Sequence, residues 1–175
     1  MRVVLSLFVL TLLAKAPYSA VVPIAYEPIL AAFGRLHPPV QVAAVATLGT
    51  LLMEWLNYRV FGAALAWRRL TGLRSSAVVH WIVQRFWGQP FVVVALCALL
   101  PFPFGITRAC AVLARYPLGR HLGATALGRL PRYWLCAAAG AVLPLGTGQL
   151  LAAAVVATAV PLFLAGGRRR DAQVA

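Results

Sequence analysis

The sequence predicts an all-α protein: a polytopic bundle of membrane helices with two proline-broken re-entrant segments in an internal, inverted repeat. Three observations carry that prediction. Of 175 residues, 62% are hydrophobic and only 11% charged, whereas a soluble domain has about a quarter of its residues charged. The stretch Leu99–Gly140 is apolar overall, yet it holds Pro101, Pro103, Pro117 and Pro131 together with Arg108, Arg115, Arg120, Arg129 and Arg132. Proline removes a backbone donor and breaks or kinks a helix. Each arginine near a bilayer centre costs roughly 2.5–3.5 kcal/mol on insertion scales. Such a mixture is tolerated at membrane depth where it is buried in protein or lines a wet cavity. The third observation is spacing: Pro23 and Pro39 are 16 apart, as are Pro101 and Pro117.

Charge narrows the class further. The net charge is +13, and Glu27, Glu54 and Asp171 are the acids. In a soluble protein a pI near 11.4 would point to nucleic acid. Here the mean hydropathy is +0.86 and the apolar runs leave no surface for that partner, so anionic lipid is expected instead. The abundance of arginine and alanine suggests GC-rich bacterial coding. Cys97, Cys110 and Cys136 show no CxxC spacing and sit in apolar runs. They read as small buried hydrophobes, and no disulfide framework, metal site or cofactor motif is readable.

Taken in order, Met1–Ala20 opens with Arg2 and the apolar run Val3–Ala14, which reads as the first membrane helix. Ala14-Lys15-Ala16 also resembles a signal cleavage site, and the residues leave that alternative open. Val21–Arg35 sets Glu27 between Pro23 and Pro28 in an apolar run. A spanning helix needs about 20 residues, so this shorter run reads as re-entrant. Leu36–Pro39 makes a turn. Val40–Trp67 is a long apolar helix on which Glu54, Asn57 and Tyr58 fall at i, i+3 and i+4 and share a face. A polar face on a membrane helix should point into the bundle; the alternative is a local pair of Glu54 with Arg59.

Residues 68–88 carry Arg68, Arg69, Arg74 and Arg85, and read as a cytoplasmic loop. Ser75 or Ser76 there caps a short amphipathic helix lying on the surface, with Trp81 and Trp87 at the interface. Pro90–Leu100 then enters the membrane, Pro101–Tyr116 is the broken segment, and Pro117–Gly140 is a helix kinked at Pro131. Leu145–Ala165 forms the last helix. Residues 166–175 form a basic tail in which Arg168–Arg170 mark the cytoplasmic side. The whole chain, 1–175, is a single membrane domain.

The two broken stretches align. A shift of 78 puts Pro23 on Pro101, Pro39 on Pro117, Ala46 on Ala124 and Thr47 on Thr125, after which one inserted residue brings Gly49 onto Gly128. Interrupted segments in corresponding positions are a sequence pointer to a transporter site. With residues 68–85 inside, the corresponding long helices of the two halves run in opposite directions.

These residues resemble the DedA and VTT-domain (SNARE-associated) membrane proteins over about residues 20–140. Pro23–Leu30, with its acid at Glu27, is similar to the family's first re-entrant motif. Gly49–Tyr58, with Glu54 four residues before the tyrosine, resembles the glycine-rich helix that follows. Leu100–Arg132 resembles the second re-entrant loop and its basic helix. The chain departs from the family at Ala98 and Phe104, where many members carry arginine, and at Met53 and Asn57, which stand in place of glycines.

The resemblance implies a lipid-handling protein of the bacterial cytoplasmic membrane, multi-pass, with a flippase- or scramblase-like activity and a dependence on protons. The residues suit that work on their own. Arg108, Arg115, Arg120, Arg129 and Arg132 are candidates to receive a phosphate headgroup, whose geometry guanidinium forks match. For Arg115, Arg120 and Arg132 the alternative is interfacial anchoring. Glu27 and Glu54 are candidates for proton coupling. No HExxH, GxSxG or nucleophile–base pair is present in the sequence, so enzyme activity is not expected. A membrane scaffold or assembly subunit is the competing class, and it leaves the paired broken segments without a purpose.

Overall fold

A computed structural model describes residues 2–16, 26–66, 88–100, 104–143, 146, 148–149, 152 and 155–156. Pro23, Pro101, Pro103, residues 68–87, most of 145–165 and the tail 166–175 lie outside the described residues. Those described form helices and no strands: α1 (Arg2–Lys15), α2 (Glu27–Gly34), α3 (Pro39–Ala66), α4 (Pro90–Leu99), α5 (Phe104–Leu113) and α6 (Leu118–Val142).

Prolines set most of the helix starts. Pro28 and Pro90 lie in the first turns of α2 and α4, where a missing N–H costs nothing and the fixed φ suits a helix. Pro39 opens α3, and the Pro117 carbonyl accepts from the His121 N–H at the start of α6. Glu27 falls in the first turn of α2, the end that favours a negative charge. Leu100, next to Pro101, ends α4 in an extended conformation with ψ 157°, as a residue before proline is steered to do. Pro131 lies inside α6, so the Leu127 carbonyl receives no N–H from it.

Parts of the two long helices bury polar side chains and expose apolar ones. On α3, Thr47, Thr50, Glu54 and Asn57 are buried, whereas Leu48, Leu52, Trp55 and Leu56 are exposed. On α6, His121, Thr125 and Arg129 are buried, whereas Leu127, Leu130, Trp134 and Leu135 are exposed. A soluble helix shows the reverse arrangement. Pro39–Ala64 is long and apolar enough to cross a membrane, and among the described residues no other helix is. The sequence leads one to expect more spans. α6 has the length, but Arg120, Arg129 and Arg132 reduce its apolarity, and α1, α4 and α5 are apolar but short.

The chain divides into two units, residues 1–46 with 133–175, and residues 47–132. In the first unit Leu7, Ala14, Tyr26, Leu30, Val42, Ala43, Ala46, Tyr133 and Ala137 form the core. The Tyr26 and Tyr133 rings meet edge-on at 5.5 Å, within the favourable range for aromatic pairs. Thr11 donates its hydroxyl hydrogen to the Leu7 carbonyl at 2.8 Å, so in its bond with Tyr26 it accepts from the phenol. α2 and the end of α6 cross closely. Gly34 lies against the Ala137 backbone and Gly140 against the Ala31 backbone, a reciprocal pattern that makes the two helices antiparallel there. Small residues permit this backbone approach.

In the second unit Val94, Ala98, Phe104, Ala111, Ala114, Tyr116 and Ala124 form the core, with Tyr58, Ala95, Cys97 and Cys110 packed on it. Gly128 of α6 lies against α4, and a Cβ there would stand 2.7 Å from that of Ala98. α5 closes in a Schellman turn, with Tyr116 N–H to Ala111 O at 2.8 Å and Arg115 N–H to Val112 O at 3.1 Å. Arg115 takes the left-handed position, φ 52°, which glycine usually fills.

Candidate functional site

The buried polar face of α3 meets its partners inside the second unit. Arg108, about one turn into α5, donates through Nε to Glu54 Oε1 at 2.7 Å and through Nη2 to Oε2 at 2.6 Å. This is the bidentate fork that matches a carboxylate. His121, on the first turn of α6, places Nε2 3.0 Å from Glu54 Oε1. A carboxylate oxygen only accepts, so Nε2 carries a hydrogen. His121 is fully buried, and its Nδ1 has no hydrogen-bond partner.

Aromatic rings enclose the cluster. His121 packs 5.2 Å from the Tyr58 ring and 5.9 Å from the Phe104 ring. Arg129, one face of α6 below His121, sets its guanidinium over Phe104 at 4.9 Å, a cation–π contact. Tyr58 donates its hydroxyl to the Tyr116 carbonyl at 2.5 Å, which ties α3 to the turn after α5. Glu54 is almost wholly buried, while the Arg108 side chain keeps 15% of its surface open. Its contacts to Glu54 use Nε and Nη2, which leaves the Nη1 edge for a ligand.

The sequence candidates therefore separate. Glu54, Asn57 and Tyr58 do form one inward face, with Glu54 and Asn57 buried and Tyr58 half-buried. The local pairing of Glu54 with Arg59 is overturned: Glu54 bonds Arg108, and Arg59 lies over the Trp55 ring at 5.7 Å. Of the five arginines, Arg108 and Arg129 come to the cluster. Arg132 instead donates to the Leu100 carbonyl at 2.5 Å, satisfying the backbone where α4 breaks off. Arg115 and Arg120 are exposed, and Glu27 is half-buried at the start of α2. Pro117 caps the start of α6.

No family model, curated protein or solved structure matches this chain.

His121 escaped the sequence reading. Its signal is the spacing His121, Thr125, Arg129, a polar stripe at i, i+4 and i+8, readable by the same rule that grouped Glu54 with Tyr58. Among the described residues no cluster of histidine, cysteine and acidic side chains could hold a metal ion.

Proposed function

We propose that the protein is a membrane lipid transporter, flippase- or scramblase-like, for lipids with a phosphate headgroup, and that Glu54 and Arg108 form its central switch. One observation carries the reading: a forked ion pair, Arg108 to Glu54 at 2.6 Å, which joins α5 to the buried side of α3 while leucines and tryptophan are exposed on the other side of α3. Burying such a pair is expensive and seldom adds stability over apolar residues of similar size, so its retention calls for use. Arg108 is the phosphate ligand, with Arg129 beside it. Glu54 holds Arg108 in the empty state and yields it to the headgroup, linked to uptake of a proton. Glu27 is a second proton-coupling candidate in α2. The outward leucines and tryptophans of α3 and α6 suit acyl chains, and the site would then face the interior of a bundle in the membrane. The two proline-broken stretches and their 78-residue correspondence favour an inverted-repeat transporter over a scaffold.

The test is lipid flux in vesicles whose only protein is the purified chain. Expected is faster transbilayer movement of a labelled phosphatidic acid, lost in Arg108→Gln and retained in Arg168→Ala, which alters the redundant terminal cluster. Flux no faster than in protein-free vesicles would leave the scaffold reading in its place. A Glu27→Gln, Glu54→Gln double variant that responds to an imposed pH gradient like wild type would remove the two acids as proton carriers.

A further inference from the structure

Glu54 is a poor place for the proton that this switch requires. Oε1 already accepts from Arg108 Nε and His121 Nε2, and Oε2 accepts from Arg108 Nη2. His121 Nδ1, by contrast, is buried with no hydrogen-bond partner, and in the neutral ring a proton can bind it without breaking any of these bonds. Charge points the same way. The cluster holds the Glu54 carboxylate and the guanidiniums of Arg108 and Arg129, so a phosphate dianion arriving with one proton on His121 leaves it neutral. A dianion arriving alone would leave an uncompensated charge in apolar surroundings, which is costly.

We propose that His121 is the proton acceptor of the site: a phosphate group binding at Arg108 is accompanied by uptake of one proton at Nδ1, and Glu54 stays ionised, exchanging its guanidinium partner for the imidazolium. The proton comes from solvent and no covalent bond changes. The other titratable or charged groups facing the ring are Glu54 and Tyr58 from α3, Arg108 from α5 through Glu54, and Arg129 of α6 over Phe104. Cys110 of α5 and Cys97 of α4 pack on the same core. This inference rests on the proposed phosphate site and adds the identity of its proton carrier.

The experiment is titration calorimetry of the purified full chain at one pH in two buffers of different ionisation enthalpy. Its probes are a water-soluble short-chain phosphatidic acid and inorganic phosphate. Expected for wild type is about one proton taken up per phosphatidic acid bound, with affinity falling about tenfold per pH unit on the alkaline side. His121→Gln keeps an N–H donor for Glu54 and should bind with no proton uptake and a flat pH profile. Uptake that persists in His121→Gln and disappears in Glu54→Gln overturns the proposal while leaving the phosphate site intact. Failure of wild type to bind either probe removes the site itself, and equal binding of both assigns it to free phosphate. Side-chain nitrogen NMR of wild-type His121 needs no variant. Both ring nitrogens should become protonated on saturation with the short-chain lipid, and an imidazole that stays neutral overturns the assignment.

Discussion

The 78-residue register of the prolines compares the two units in sequence, position by position. A shift of 78 carries 27–34 of α2 onto 105–112, within α5, and Pro39 at the head of α3 onto Pro117 beside the head of α6. The same register puts Arg108 on Leu30 and His121 on Ala43, and, past the inserted residue, Glu54 on Tyr133. Leu30, Ala43 and Tyr133 belong to one buried cluster of the first unit, as the three polar residues belong to one cluster of the second. One unit packs Leu30, Ala43 and Tyr133 into its core, and the other joins an ion pair and a histidine.

The largest expected effect breaks that contrast directly. Glu54→Leu strands a buried guanidinium and should cost about 3–5 kcal/mol of stability, as removing one partner of a buried pair does. Arg108→Leu should cost a similar amount by stranding the carboxylate. Combining them makes the second unit resemble the first and should recover most of the loss, because two well-packed apolar residues often replace a buried pair without penalty. Denaturation of the two single variants and the double, read as a mutant cycle, checks this. Lipid flux should be absent in all three. In the first unit Leu30→Ala should cost about 2–5 kcal/mol through its cavity, with no partner that restores it.

Next come the glycine crossings. A Cβ at Gly34 would overlap the Ala137 carbonyl, and one at Gly140 would overlap that of Ala31. Backbone atoms cannot rotate away, so each alanine must push α2 and α6 apart, costing about 1–3 kcal/mol. Gly128→Ala, pressed against α4, belongs to the same class. Gly123 sharpens the comparison, since a Cβ there meets only Phe91 Cε2 at an ordinary 3.9 Å. Gly123→Ala should stabilise α6 by about 0.5–1 kcal/mol through lower unfolded-state entropy. Thermal unfolding in detergent separates the two outcomes.

How much of this was legible in the sequence follows from the range of each interaction. Helix starts are local, and Pro28, Pro39, Pro90 and Pro117 marked them. The inward face of Glu54, Asn57 and Tyr58 followed from helical periodicity alone. The need for an arginine beside a buried acid was also readable, but choosing Arg108 over Arg59 required the fold, because Glu54 and Arg108 are 54 residues apart. His121 was hidden for the same reason: a histidine in an apolar helix acquires meaning only from what faces it. The roles of Arg132 and Arg115 depend on where two helices end, Leu100 accepting from one and the α5 turn containing the other.

Smaller effects probe hydroxyls that the units place differently. Tyr58→Phe removes the bond to the Tyr116 carbonyl, and Tyr26→Phe removes the bond to Thr11. Each should cost about 0.5–1.5 kcal/mol. Only Tyr58→Phe should also loosen the turn after α5, and hydrogen exchange at the Arg115 and Tyr116 amides would report it. Unchanged exchange there would mean that the Schellman turn holds itself.

The smallest effect concerns that turn. The first unit leaves α2 through right-handed residues: Arg35 has φ −73°, and the Leu36 and His37 amides both donate to the Phe33 carbonyl at 3.0 Å. The corresponding turn of the second unit forces Arg115 to φ 52°. A side chain in that region costs roughly 1–2 kcal/mol, and glycine avoids the cost while adding roughly 0.5–1 kcal/mol of unfolded-state entropy. Arg115→Gly should therefore be more stable than wild type by about 0.5–1 kcal/mol, whereas His37→Gly, where no left-handed residue is needed, should be less stable. The exposed Arg115 side chain is also a headgroup candidate from the sequence, and the same variant decides its role. Retained flux with higher stability makes Arg115 a turn residue that tolerates its strain. Flux lost from a protein that has become more stable would show that the strain is kept because the guanidinium is needed there, and would extend the phosphate path from Arg108 to the end of α5.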